Sequence, residues 1–234
     1  MIPERFSRTS ILLGNEATEK LASSSVVVCG VGAVGSFAVE ALARLGIGKF
    51  FLWDFDSVEE SNINRQLCAL DSTIGKEKTE VVRSRILDIN PNANVQTYGK
   101  ITPDAANIVA SQGDIIVDAI DTISEKINLI FAAEERGVKI VSSMGAARRV
   151  DISKIKVADI MKTYGCPVAS SIRKALRAGK YKGKCKCVFS DEQLSKDTHI
   201  ADCGKKTIGS YVAVAGVFGL TLADLAVREI LTKK

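Results

Sequence analysis

The sequence has 234 residues, of which 46% are hydrophobic and 25% are charged, a balance typical of a globular protein with one large domain or one domain and an appendage. The formal net charge is +5, and no apolar stretch follows the first charged residues, so no signal peptide is expected. Six cysteines in a chain of this length favour reduced thiols over a disulfide framework, which excludes the small disulfide-rich class and predicts a cytoplasmic protein.

Strand-like and helix-like segments alternate through the first half of the chain. Residues 25–29 form a short β-branched apolar run, which is typical of a strand buried on both faces. Apolar residues at helical spacing follow from Val34 to Leu45, Gly46 ends that helix, and residues 50–54 form the next strand. Further strands are predicted at 95–98, 115–118 and 139–143, with helices at 76–89 and about 124–136. This alternation predicts a Rossmann-like α/β fold with a doubly wound, mostly parallel sheet.

The second half of the chain is less regular. Short strands are predicted at 155–157 and 187–189, with a helix at 168–178. Residues 211–227 are apolar nearly all round but shorter than the roughly 20 residues of a membrane span, so we expect a buried helix against the sheet or a second subunit. We place a boundary at residue 149, which divides a core (1–149) from a C-terminal extension of the same fold (150–234).

A glycine-rich turn joins the first predicted strand to its helix. Gly30, Gly32 and Gly35 form the pattern G-x-G-x-x-G. Such glycines let the chain turn tightly and approach a phosphate, and the helix N-terminus offers free N–H groups to the anion. Asp54 ends the next strand about 20 residues later, where a carboxylate can accept hydrogen bonds from ribose hydroxyls. The pattern predicts a nucleotide site and is equally compatible with NAD and ATP.

A polar cluster after the second strand favours a nucleoside triphosphate. Asn62 and Asn64 can orient phosphate oxygens, and Arg65 can offer them a planar fork of donors. Lys78 can place a positive charge near the α-phosphate, where negative charge moves during adenylation. Asp121 follows the strand at 115–118 and could hold a Mg²⁺ ion whose other ligands are waters and phosphate oxygens.

These residues resemble the superfamily of ubiquitin-activating-enzyme-like adenylating proteins, which includes the bacterial activators of the thiamin and molybdopterin sulfur carriers. The resemblance covers roughly residues 5–121. Its most specific residues are Gly30, Gly32, Gly35, Asp54, Asp56, Ser61, Arg65, Lys78 and Asp121. The resemblance implies that Asp54 holds the ribose of ATP and that Asp121 holds Mg²⁺. It also implies that Arg65 and Lys78 hold phosphates.

The resemblance extends to further positions around the nucleotide. Asp56, Asn62 and Asn64 belong to the same implied nucleotide-binding cluster. Ala33 stands where many members have a third glycine, and its small side chain should be tolerated. Arg8 matches an arginine that reaches into the partner subunit's nucleotide site, so the resemblance implies a homodimer.

Within the superfamily, the chain is most similar to the tRNA threonylcarbamoyladenosine dehydratases. The similar segments are 5–8, 161–163 with the proline and basic helix that follow, 187–190 and 202–204. The resemblance implies ATP-dependent cyclisation of the threonylcarbamoyl side chain in tRNA through adenylation of its carboxylate, with release of AMP and pyrophosphate. Relatives of this family also suggest a sulfur-relay partner of the cysteine desulfurase system.

A basic strip lies in the second half of the chain. It consists of Arg173, Lys174, Arg177, Lys180, Lys182, Lys184 and Lys186, with no acidic residue among them. Such a run is either a solvated face or a surface that binds a polyanion through counterion release. With the resemblance, the second interpretation assigns the strip to tRNA binding.

Cys203 matches a thiol of the family and is assigned to the catalytic residues. It would either form a transient thioester or only line the site, and the neighbouring Lys205 and Lys206 could lower its pKa. The alternative is an incidental loop cysteine.

The other cysteines and the single histidine carry weaker signals. Cys185 and Cys187 form a C-x-C without the second pair that structural zinc requires, so zinc is not favoured. Cys29 lies in a predicted strand and is expected in the core. His199 has no partner in sequence, so a surface residue is favoured over a catalytic base.

Two other classes of function remain open. An activator of a small sulfur-carrier or ubiquitin-like protein would share the nucleotide site, but the absent zinc pairs and the basic strip argue against it. An NAD-binding oxidoreductase would leave Arg65, Lys78 and Asp121 without a role.

Overall fold

The computed structural model describes residues 2–194 and 208–232 and contains one seven-stranded sheet in the order β3-β2-β1-β4-β5-β7-β6. The strands are β1 (Ser25–Cys29), β2 (Lys49–Trp53), β3 (Asn94–Tyr98), β4 (Ile115–Asp118), β5 (Lys139–Ser143), β6 (Ile155–Asp159) and β7 (Cys185–Ser190). Neighbouring strands are parallel except for β6, which pairs with β7 in the antiparallel direction. The predicted Rossmann-like, mostly parallel α/β fold is confirmed.

Eight α-helices flank the sheet in the described part of the chain. They are α1 (Ser7–Leu13), α2 (Asn15–Ser23), α3 (Ala33–Arg44), α4 (Lys78–Ile89), α5 (Pro103–Gln112), α6 (Ile123–Arg136), α7 (Pro167–Ala178) and α8 (Val212–Leu231). Short 3-10 helices lie at Glu4–Phe6, Glu60–Asn62, Asp71–Thr73, Ile152–Lys154 and Ile160–Lys162. Helices α1, α2 and α5 were not predicted from the sequence. For α5 a signal was present, because Pro103 occupies the first turn and the Thr102 side chain caps it by accepting a hydrogen bond from Ala105 N.

The two faces of the sheet carry separate hydrophobic layers. Side chains alternate along each strand, so Val26 and Val28 face one layer while Val27 and Cys29 face the other. Helices α3, α4 and α8 cover the first face, and α5, α6 and α7 cover the second. Burial on both faces explains why the central strands are continuous apolar runs.

Helix α8 is buried against α3 and the sheet. Phe218 and Leu222 are fully buried in the layer that also contains α3. A Cβ atom at Gly219 would lie 2.4 Å from the carbonyl oxygen of Val34, so the glycine permits close approach of the two helices. Across the described residues, no helix combines the length and apolarity that a membrane span requires.

The C-terminal extension continues the sheet. Strand β7 pairs with β5, and β6 pairs with β7. Strands from both sides of residue 149 therefore belong to one sheet. The division into core and extension at that residue stays an interpretation of the sequence.

The turns after β1, β2, β4 and β5 all leave the same edge of the sheet, because these strands are parallel. In doubly wound folds this carboxyl edge is where ligands bind. The first residues of the parallel strands, such as Lys139 and Cys185, lie at the opposite, amino edge. The C-terminal ends of α3, α6 and α8 lie at that edge too.

Candidate functional site

The glycine turn between β1 and α3 depends on the absence of two side chains. Gly30 has a φ of 82°, and a Cβ atom there would lie 2.8 Å from the carbonyl oxygen of Ala119. A Cβ atom at Gly35 would lie 1.8 Å from the carbonyl oxygen of Gly30. At Gly32 the nearest atom to a Cβ would be 3.7 Å away, so a Cβ atom there would meet no steric clash. Helix α3 begins at Ala33, with its N-terminal N–H groups at the carboxyl edge.

Replacing Gly35 with alanine is expected to destabilise the turn by about 3 kcal/mol, because the new methyl group would overlap backbone that cannot move freely. The matched variant Gly32→Ala should lose much less stability, since a Cβ atom at that position would meet no steric clash. Chemical denaturation of both variants measures the difference. Equal stability of the two variants would contradict the geometry of this turn.

Asp54 ties the end of β2 to the glycine turn. Its Oδ2 atom accepts a hydrogen bond of 2.8 Å from Val31 N, and its Oδ1 atom accepts one of 3.0 Å from Asp56 N. Each carboxylate oxygen can accept a second hydrogen bond. The half-buried carboxylate is therefore fixed beside the turn and still able to bind hydroxyl groups.

Lys78 begins α4 and forms an ion pair with Asp56. The Lys78 Nζ to Asp56 Oδ2 distance is 2.7 Å, and the Lys78 backbone N–H donates to the Asp56 carbonyl oxygen at 3.0 Å. The lysine side chain is 7% exposed, whereas the aspartate side chain is 50% exposed. An ammonium group has three donors, so this geometry leaves Lys78 able to bind a further anion.

The turn after β2 places Arg65 beside two of its neighbours. Its Nη1 atom donates to the Ser61 carbonyl oxygen at 2.7 Å and to Asn64 Oδ1 at 2.8 Å. The buried Asn62 closes the turn, because its Oδ1 accepts from Glu59 N at 3.3 Å and its Nδ2 donates to Ser61 Oγ at 3.3 Å. The structure thus gives Asn62 contacts within its own turn and leaves the guanidinium of Arg65 partly exposed.

Asp121 lies in the turn between β4 and α6, on the same sheet edge as the glycine turn. Its carboxylate is exposed and accepts a long hydrogen bond of 3.4 Å from Thr122 Oγ1. In residues 2–194 and 208–232, no group of three or more histidine, cysteine, aspartate or glutamate side chains is arranged to hold a metal ion. One exposed carboxylate matches a metal that keeps waters and phosphate oxygens as its other ligands.

A buried polar cluster that was not predicted from the sequence lies beneath this turn. Asp118 Oδ2 accepts hydrogen bonds from Lys126 Nζ at 2.7 Å and from Ser142 Oγ at 2.6 Å. Asp118 Oδ1 accepts from Ile120 N at 3.2 Å. The side chains of Asp118 and Lys126 are 0% and 1% exposed. The cluster joins β4, α6 and β5 and fixes the chain that leads into Asp121.

Residues 208–210 connect the turn after β2 to the loop after β5. Asn64 Nδ2 donates to the Ser210 carbonyl oxygen at 3.4 Å. Arg148 N donates to the Gly209 carbonyl oxygen at 3.0 Å. The turn after β2 and the loop after β5 therefore approach each other across the carboxyl edge.

Arg8 lies far from the glycine turn of its own chain. It is an exposed residue of α1, and the preceding Phe6 packs beside Gly46 at the C-terminal end of α3. The twelve residues of α3 separate that end from the glycine turn by about 18 Å. Within one chain, the structure does not bring Arg8 together with the other predicted site residues.

The basic strip runs away from the predicted nucleotide site. Arg173 is half-buried in α7 and donates a hydrogen bond to Thr163 Oγ1, whereas the six other residues are exposed. Lys186 pairs with Glu229 of α8 at 2.8 Å near the amino edge. Five-residue strands separate the two edges by roughly 15 Å. The assignment of the strip to tRNA stays a prediction.

Three of the cysteines are buried in the sheet, and Cys203, Lys205, Lys206 and His199 lie outside the described residues. Burial, with the nearby Asp118 carboxylate, raises the pKa of the Cys29 thiol well above its usual value. Burial likewise raises the pKa of Cys185, and it raises the pKa of Cys187 to about 12. Thiols in this state are poor nucleophiles and poor metal ligands.

Iodoacetamide at pH 8 is therefore expected to leave Cys29, Cys185 and Cys187 unmodified in the folded protein, because almost none of each thiol is ionised. Peptide mass spectrometry measures the labelling, and the same protein unfolded in guanidinium chloride is the control. Labelling of Cys187 at the rate seen in the unfolded chain would contradict its buried position.

Comparison with known proteins agrees with this geometry. A model of the ThiF family matches residues 6–234. The tRNA threonylcarbamoyladenosine dehydratase of Bacillus subtilis is 43% identical over 190 residues, which cover 80% of this chain and 75% of that protein. The Escherichia coli protein of the same name is 34% identical over 254 residues, with 98% and 94% covered. Its crystal structure in complex with ATP has a TM-score of 0.89 at 33% identity and covers 98% of this chain and 95% of that one.

Proposed function

The chain belongs to the ThiF family, and from that premise we propose that it uses ATP to dehydrate threonylcarbamoyl-adenosine in tRNA. The observation that carries this proposal is the match along nearly the whole chain to a tRNA threonylcarbamoyladenosine dehydratase whose structure holds ATP. The residues at the carboxyl edge of the sheet supply the groups that such a reaction needs.

The reaction overcomes the poor reactivity of a carboxylate. A carboxylate oxygen of the substrate attacks the α-phosphorus of ATP and displaces pyrophosphate, which produces an acyl-adenylate. A nitrogen or oxygen of the same side chain then attacks the acyl carbon, loses its proton and expels AMP. The net change in the nucleoside is the loss of one water. The protein contributes mainly by positioning the groups and stabilising charge.

We assign different residues of the site to the ribose and to the phosphates of ATP. Asp54 holds the ribose hydroxyls, since its two oxygens are oriented by Val31 N and Asp56 N. The glycine turn and the N-terminus of α3 face the phosphates. Lys78 and Arg65 stabilise the negative charge that builds up at the α-phosphate and on the departing pyrophosphate.

Asp121 is the proposed ligand of a Mg²⁺ ion. Its carboxylate is exposed at the same edge and makes one long hydrogen bond to Thr122, so it is able to take a hard cation. Magnesium bound there would neutralise phosphate charge.

A homodimer is the proposed active unit. Helix α1 carries Arg8 near Ile11 and Leu12, residues that are 85% and 83% exposed. Neighbouring apolar side chains this exposed are typical of an interaction surface. The distance of Arg8 from its own glycine turn supports a role in the partner's site, as the family resemblance implies.

The remaining assignments concern partners and location. We assign the basic strip to contacts with tRNA phosphates, which would make binding strongly dependent on salt. Cys203 as a catalytic thiol, a sulfur-relay partner of the cysteine desulfurase system and a cytoplasmic location are further proposals that rest on the family resemblance.

The decisive experiment incubates the protein with ATP, Mg²⁺ and tRNA that carries threonylcarbamoyl-adenosine. The tRNA is then digested and its nucleosides are analysed by mass spectrometry. We expect the modified nucleoside to lose the mass of one water only when ATP is present. An unchanged nucleoside would refute the proposal and favour the activation of a sulfur-carrier protein, which pyrophosphate exchange with candidate carriers would then test.

A further inference from the structure

A buried arginine near the site has two nitrogens without a hydrogen-bond partner among the described residues. Arg149 lies in the loop between β5 and β6, and only 2% of its surface is exposed. Within the described part of the chain, its Nε and Nη1 atoms are buried without a hydrogen-bond partner. A guanidinium group is always charged, and a buried charge is unfavourable unless it is paired and hydrogen-bonded. The two buried donors of this permanent cation are therefore available to an anion.

The backbone on each side of Arg149 is held independently of its guanidinium. Arg148 N donates to the Gly209 carbonyl oxygen at 3.0 Å. Val150 N donates to Glu192 Oε2 at 3.1 Å. These two backbone contacts hold the loop on both sides of Arg149 and do not involve its guanidinium.

The loop also lies on the functional edge of the sheet. It leaves the carboxyl end of β5, next to β4, whose own turn carries Asp121. Gly209 accepts a hydrogen bond from Arg148 N in this loop, and the next residue, Ser210, accepts one from Asn64 in the turn after β2. A short chain of contacts thus joins the neighbourhood of Arg149 to the predicted nucleotide site.

We propose that Arg149 binds an oxyanion of the reacting molecules, and that this oxyanion is the carboxylate of the substrate. The phosphates already have assigned cations, namely Lys78, Arg65 and the proposed Mg²⁺ ion, whereas the carboxylate has none among the described residues. The planar fork of a guanidinium matches the two oxygens of a carboxylate. This assignment rests on the proposed function, while the binding of an oxyanion as such does not. A phosphate oxygen of ATP offers the same chemistry, and the experiment separates the two sources.

The test compares three variants. Arg149→Met removes the charge at similar length, Arg149→Lys keeps a charge without the fork, and Arg148→Met is the matched control at the exposed neighbouring arginine. Calorimetry measures the Kd for ATP, and nucleoside mass spectrometry gives kcat and KM for the modified tRNA. We expect kcat/KM for tRNA to fall about 100-fold in Arg149→Met and less in Arg149→Lys, with the Kd for ATP unchanged. Arg148→Met should resemble the wild type.

The outcomes distinguish the sources and the alternatives. A Kd for ATP raised about 10-fold in Arg149→Met, with tRNA kinetics otherwise intact, would move the site to a phosphate. Unchanged binding and kinetics, or a lower melting temperature as the only effect, would overturn the proposal. We expect the melting temperature of Arg149→Met without ligand to equal or exceed that of the wild type, because an unpaired buried charge is removed.

A second measurement keeps this test independent of the proposed function. If the wild type does not dehydrate tRNA, the melting temperature is followed with added acetate or pyrophosphate. Stabilisation of the wild type by either anion, absent in Arg149→Met and present in Arg148→Met, would support an oxyanion site. Equal responses of all three proteins would overturn it.

Discussion

Replacing Lys78 with methionine is expected to slow adenylation by roughly 10²–10³-fold while nucleotide binding partly survives. Lys78 begins α4, and its ammonium lies 2.7 Å from the Asp56 carboxylate. Asp56 N donates a hydrogen bond to Asp54, which also accepts one from Val31 N in the glycine turn. A fixed positive charge in a buried position acts most strongly where negative charge develops during the reaction. Ribose binding through Asp54 does not need that charge, so the Kd for ATP should change much less than the rate.

AMP formation with modified tRNA measures the rate, and calorimetry measures ATP binding. The control is Lys76→Met, since Lys76 is an exposed lysine two residues earlier in the same segment. The fold should tolerate the Lys78 substitution, because the Asp56 side chain is 50% exposed and water can solvate its carboxylate. A Lys78 variant that loses only stability, with its rate per folded molecule intact, would argue against an adenylating site.

The glycine turn and the residues that follow β2 could be predicted because their signals are local in sequence. Gly30, Gly35 and Asp54 stand at fixed spacing around a strand and a helix, and each has one clear steric or hydrogen-bonding reason in the structure. The same holds for the apolar runs of the central strands, since burial on both faces leaves a continuous pattern.

The features that were missed depend on contacts between distant segments. Asp118, Lys126 and Ser142 belong to three different elements, and each alone has the pattern of an ordinary polar residue. Arg149 follows another arginine in a loop, which favours a solvated charge, yet the fold buries it. The position of the basic strip could not be predicted either, because it depends on the direction of β6. That strand runs antiparallel to β7 and carries the chain away from the carboxyl edge before α7 and β7 follow in the sequence.

Replacing Lys126 with methionine is expected to destabilise the protein by about 3–5 kcal/mol, because the Asp118 carboxylate would remain buried without its cation. Ser142 and the Ile120 N–H would still donate to that carboxylate, but neither carries a charge. For a chain of this size, 1 kcal/mol corresponds to about 2–4 °C in melting temperature, so a decrease of about 10 °C is expected.

The double variant Asp118→Asn with Lys126→Met distinguishes the contribution of the ion pair to stability from that of the packing around it. Removing both charges eliminates the unpaired carboxylate, so the double variant should be more stable than Lys126→Met alone. Thermal and denaturant unfolding measure both. A cost below about 1 kcal/mol for Lys126→Met would show that the carboxylate finds another partner or a proton. Because Asp118 leads directly into the turn of Asp121, the single variant should also impair ATP turnover at temperatures where it remains folded, whereas Arg148→Met should not. That coupling would show that the buried pair positions the proposed metal ligand as well as stabilising the sheet.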